Sequence, residues 1–173
     1  MSKGLIKKMT EIKGEQLSFL DEVDRQLAQQ DKQKKDDAKR YISAGKAVFT
    51  LETTKYDEGY TYKFVHDKKD KCVYRFKVYR MFGNDNENDY TFIGLYYSDT
   101  GTYKSKADKA NKPMYDRLIA AFLRMIHSDT EQWYNTCKFY KSKLCAVCGR
   151  RLTTPESIER GIGPECYTKL KGV

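Results

Sequence analysis

KAVFTLETTKYDEGYTYKFVH, residues 46–66, decides the fold of the middle of this chain. Phe49 and Leu51, then Tyr60, Tyr62 and Phe64, stand at every second position between polar neighbours, the period of a strand with one buried face. The pattern returns in YRFKVYRM (74–81), through Tyr74, Phe76 and Val78, and in YTFIGLYY (90–97), through Tyr90 and Phe92, then Ile93 and Leu95. Asp57-Glu58-Gly59, the charged run from His66 to Lys71 and Gly83-Asn84-Asp85-Asn86 separate these runs. Alternation, aromatic enrichment and turn chemistry together predict an antiparallel meander of four strands, with a fifth near Thr102–Lys104. Pro113 opens a helix to about His127, and Leu118, Ile119, Phe122, Met125 and Ile126 give it a broad apolar face to lay on the sheet.

Working outward, residues 1–45 change to a helical period. Leu17, Leu20, Val23 and Leu27 form one narrow stripe. The polar stretch beyond Leu27 reads as a solvated extension ending near Gly45. Residues 129–173 shift again, to short runs with Gly, Pro and Cys. The expectation is an α+β protein: a helical amino-terminal arm (1–45), a four- to five-stranded antiparallel sheet backed by a helix (46–128), and a small zinc-binding module (129–173).

The chain has 173 residues, and its 14 Tyr, 8 Phe and single Trp supply the bulk for a modest core. No run of about 18 apolar residues exists, which excludes a transmembrane helix, and the amino terminus lacks the apolar stretch of a signal peptide. A cytoplasmic protein without a membrane partner is expected. The formal charge is +9. From Lys138 onward eight bases stand against three acids, leaving +5, so the excess gathers at the carboxyl end. Such an excess suits an anionic partner.

Five cysteines stand at 72, 137, 145, 148 and 166. An odd number crowded toward one end of a cytoplasmic chain favours a metal over disulfides. Cys145-x-x-Cys148 brings two thiolates from one turn to a single tetrahedral ion, and Cys166 adds a third at zinc-ribbon separation. Gly149 suits the fold-back after Cys148. Thr154 reads as a helix N-cap, Pro155 as the first helical residue and Gly161 as the stop, with Gly163-Pro164 turning the chain into Cys166. The fourth position falls to Cys137, with His127, Glu165 or a water as alternatives. Cys72 reads as a core residue on a strand.

CAVCGRRLTTPESIERGIGPEC, residues 145–166, resembles the carboxyl-terminal signature CxxCGRxLTxPESIxxGIGPxC of a family of short, mostly bacteriophage-encoded proteins of unassigned function. Stretches such as KAVFTLET and YRFKVYRMFGNDNENDYTFIGLYY extend the resemblance over roughly residues 45–168. It implies a phage context, a host bacterial cytoplasm and a zinc-ribbon-like end, and no activity. Relatives often carry a His shortly before the first Cys of the pair, where this chain has Lys141.

Lys141, Lys143, Arg150, Arg151, Arg160 and Lys169 surround the cysteine segment and are the candidate phosphate contacts, Arg150 and Arg151 through forked hydrogen bonds. The strands interleave aromatics with Lys63, Arg75, Lys77 and Arg80. The expected arrangement buries one aromatic face under the helix and leaves the bases on a solvated reverse; the alternative is an exposed face whose rings stack bases while the cations track phosphates, as in single-strand binders. Enzyme signals are poor: His66 and His127 lie in different zones, and no phosphate-binding glycine loop follows a strand. The leading expectation is a non-catalytic zinc protein that binds nucleic acid through its basic end. The alternative is a phage effector that binds a host bacterial protein.

Overall fold

The structure, a computed structural model, describes residues 3–55, 58–66, 70–83, 88–129 and 133–171. The chain divides into two units, Met1–Lys34 and Lys35–Val173. Helix α1 (Lys3–Ile42) makes up the first and contributes its last turns to the second. Within the first unit Leu20 and Leu27 are exposed, and the side chain of Leu17 lies outside the described residues.

The second unit is built on one antiparallel sheet of six strands: β1 (Lys46–Thr53), β2 (Gly59–His66), β3 (Arg75–Met81), β4 (Tyr90–Tyr97), β5 (Thr102–Ser105) and β6 (Cys137–Lys141). Their spatial order is β5-β4-β3-β2-β1-β6. The first five form the expected meander. The sixth was not expected: Cys137 to Lys141 leaves the presumed module and pairs along β1, Thr53 with Cys137 through Phe49 with Lys141. Between the pairs Val78–Gly94 and Tyr79–Phe92 the register slips, so Ile93 and Gly94 both face inward.

Helix α2 (Met114–His127) follows Pro113 and covers one face of the sheet. Leu118, Ile119, Phe122, Leu123 and Ile126 meet Phe49, Leu51, Tyr62, Phe64, Phe76, Val78 and Tyr96 in one buried cluster. Phe122 stacks on Phe139 of β6 at 5.3 Å, and Phe49 lies 5.1 Å from the same ring. Ala38, Tyr41 and Ile42 of α1 join this core. The polar extension expected after Leu27 therefore ends in a buried i, i+3, i+4 triple. Two fully buried phenols find partners: Tyr62 donates to the Tyr115 carbonyl at 2.6 Å, and Tyr41 to that of Val48 at 2.6 Å. Cys72 stands in the turn before β3, half-buried, rather than on a strand.

Beyond β6 the chain forms the cysteine module, which carries two short helices, α3 (Pro155–Arg160) and α4 (Pro164–Lys171). Helix α3 ends at Gly161 with φ +75°, left-handed. A Cβ there would lie 2.4 Å from the Tyr41 ring. Gly161→Ala is expected to cost at least about 2 kcal/mol, from left-handed strain and overpacking together. A thermal melt reads it, and an unchanged Tm would show that Tyr41 moves aside freely.

Candidate metal centre

The module begins as a tight ribbon. Leu144 and Arg151 form an antiparallel bridge, the Cys145 amide donates to the Arg150 carbonyl at 2.8 Å, and the Gly149 amide returns to the Cys145 carbonyl at 2.8 Å. Gly149, with φ +81°, makes the fold-back between them. Cys145 and Cys148 thus project from one turn. The Ala146 amide donates to the Gly161 carbonyl at 2.9 Å, which fixes α3 and the start of α4 against this ribbon. Cys166 stands in the first turn of α4, so Pro164 opens a helix instead of merely turning the chain.

The ligand atoms of Cys145, Cys148 and Cys166 all lie within 4.8 Å of one another. A tetrahedral ion with metal–sulfur bonds near 2.3 Å holds its sulfurs roughly 3.8 Å apart, so closing on a metal needs shifts of at most about 1 Å. Cys145 is buried, Cys166 half-buried and Cys148 exposed. The Gly163 amide points at the Cys145 sulfur from 3.4 Å. Burial raises the Cys145 thiol, yet the amides of Gly163, Cys148 and Val147 outweigh it and bring the group down to about 7. Cys166 moves the other way, up to about 11, through burial and the neighbouring sulfurs. Three soft donors, one of them held by backbone amides, fit a thiophilic ion and fit a hard cation poorly.

The other candidate ligands are placed elsewhere or at the rim. Cys137 is inside the sheet on β6, outside the group of three, and burial pushes its thiol up to about 12. The ring of His127 shares a 2.8 Å hydrogen bond with the Tyr96 hydroxyl in the core. Glu165 lines the opening of about 190 Å³ beside the cysteines, where Arg150 pairs with it at 3.6 Å. Both members are more than three-quarters exposed, so water screens that pair.

The six basic candidates divide. Arg150, Arg151, Lys143 and Lys169 are exposed around the ribbon and α4. Lys141 is turned to structure: its ammonium donates to the Glu159 carbonyl at 3.0 Å, capping the end of α3, and burial lowers its pKa. Arg160 stacks on Tyr167 at 4.0 Å and donates to the Ile162 carbonyl at 3.2 Å.

Residues 139–171 match a family of unknown function, DUF6011. The match begins in β6 and spans the cysteine ribbon, α3 and α4. No curated protein and no solved structure matches the chain. No helix among the described residues is long and apolar enough to cross a membrane.

Proposed function

We propose that this chain is a non-catalytic nucleic-acid-binding protein whose carboxyl-terminal module closes on a zinc ion. The observation that carries the reading is the adjacency of two features: three thiols gathered within 4.8 Å, and the guanidiniums of Arg150 and Arg151 exposed on the ribbon that holds two of them. An ion at the cysteines would stiffen the ribbon, and a stiff ribbon holds its arginines where they can fork onto phosphates at little entropic cost. Lys143 and Lys169 extend the same surface. Lys141 and Arg160 hold the module together from within. The likeness of residues 145–166 to phage proteins supports a bacterial cytoplasmic setting.

The test is binding of the metal-loaded full chain to labelled single-stranded and duplex oligonucleotides across a salt series. Arg150→Ala with Arg151→Ala is expected to weaken both and to reduce the slope of log affinity against log salt by roughly 1.4–1.8 for two lost phosphate contacts. Wild-type affinity and slope in the double variant would refute the reading.

A second reading has its own observation. Leu20 and Leu27 are exposed two turns apart on one helical face of the first unit, which suits an apolar groove on a protein partner. Capture from bacterial lysate by the full chain, lost when residues 1–34 are removed, would support it.

A further inference from the structure

The sheet has a second face, for which the sequence leaves two arrangements open: a solvated reverse of interleaved bases, or an exposed face of rings and bases together. The structure places aromatics there as well. Opposite the face under α2, Tyr79 of β3 and Phe92 of β4 meet edge to face at 5.8 Å. Tyr90 and Tyr97 share their strand and their side of it. Each ring except Tyr79 carries an ammonium above it: Lys63 over Tyr90 at 4.2 Å, Lys104 over Tyr97 at 5.2 Å and Lys106 over Phe92 at 6.0 Å. Tyr79, Phe92 and Tyr97 are half-buried, as rings lying on an open sheet are.

Charge on this face is one-sided. The outward positions of β2, β3, β4 and β5 hold Lys63, Lys77, Arg75 and Lys104 and, among the described residues, no carboxylate. Of the acids at its margins, two are engaged within the fold. Asp70 takes the Arg75 guanidinium at 2.6 and 2.7 Å, and Glu52 accepts from the Tyr140 hydroxyl at 3.1 Å.

We infer that this face is a platform for single-stranded nucleic acid, with Tyr79, Phe92 and Tyr97 stacking bases and Lys63, Lys104 and Lys106 taking the phosphates. The ligand must offer negative charge and flat π-faces together. An acidic protein offers the charge and leaves the rings without partners. A duplex keeps its bases stacked on one another. An unpaired strand supplies both, because any base can lie on any ring. Binding exchanges weak exposed ammonium–ring contacts for base–ring stacks and lets the freed ammoniums follow the backbone. The inference rests on the nucleic-acid reading of the chain but not on the cysteine module.

The experiment is fluorescence anisotropy of the metal-loaded full chain with labelled oligo(dT) of about 20 nucleotides and with a duplex of the same length. Tyr79→Leu with Phe92→Leu keeps apolar bulk and removes the π-faces. This variant is expected to bind oligo(dT) roughly 5- to 100-fold more weakly and the duplex as wild type does. Tyr79→Phe, which keeps the ring, is expected to bind oligo(dT) normally. Lys63→Gln should lower the oligo(dT) salt slope by about 0.7. Circular dichroism and Tm confirm that the leucine variant is folded. Wild-type oligo(dT) affinity in the leucine variant, equal loss on both probes, or no binding of oligo(dT) by the wild type would each overturn the inference. The two readings fail separately. Ring variants that weaken oligo(dT) while Arg150→Ala with Arg151→Ala changes nothing would remove the module and leave the platform, and the converse result would do the opposite.

Discussion

Cys145→Ser is expected to make the protein's melting temperature indifferent to zinc. In the wild type, an ion that binds only the folded module adds stability by mass action, about 4 kcal/mol when free metal stands a thousandfold above its Kd. Chelation should withdraw that increment. Cys145 is the best choice for the test because it is the buried member of the three and the one whose sulfur receives the Gly163 amide. Serine keeps the size and removes the soft donor. Cys137→Ser supplies the contrast. That residue is buried on β6, away from the other sulfurs, so its loss should lower the melts with and without zinc by the same amount. If the wild-type melt ignores both zinc and chelator, the metal reading is wrong. If Cys137→Ser also erases the increment, Cys137 reaches the ion as the fourth ligand.

Phe49→Ala should cost about 3–5 kcal/mol, the range for an aromatic removed from a core that cannot collapse around the gap. Phe49 is the ring at which three elements meet. Its centroid lies 5.3 Å from Phe64, 5.9 Å from Tyr62, 5.9 Å from Phe122 and 5.1 Å from Phe139. These neighbours belong to β2, α2 and β6, each pinned by its own strand pairing or helix. Against a total stability of about 5–15 kcal/mol such a loss is severe. Urea denaturation reads it as a lower midpoint at unchanged slope. A loss under about 1 kcal/mol would mean that β6 and α2 close over the space.

What the sequence disclosed follows from how local each signal is. The meander was legible because Phe49, Tyr62, Phe64, Phe76 and Val78 alternate within their own strands. Strand β6 was not. CKFYK is five residues long, and its pairing with β1 is set by residues about ninety positions away. Ala38, Tyr41 and Ile42 are hard to read from sequence because seven lysine, arginine and aspartate residues from Lys32 to Arg40 mask a three-residue stripe. The cysteine triad was readable because its spacing and its glycines are contiguous in sequence. The alternation also announced two strand faces without saying that both would carry rings. The slip at Ile93 decides that: it puts Phe92 outward and Tyr96 inward on one strand, which a strict period of two forbids.

The pairing of β6 with β1 also sets a timetable for the growing chain. Hairpins β1–β2, β2–β3, β3–β4 and β4–β5 join neighbours and can form as each strand emerges. The other edge of β1 has no partner until Lys141 has been made, 92 residues after Phe49. At about 5–20 residues per second that is an interval of roughly 5–20 s during which an aromatic-lined edge stands open. The ribosome therefore delivers the strand that seals the sheet immediately before the cysteines, so that closing the edge and assembling the thiol cluster are consecutive events of synthesis.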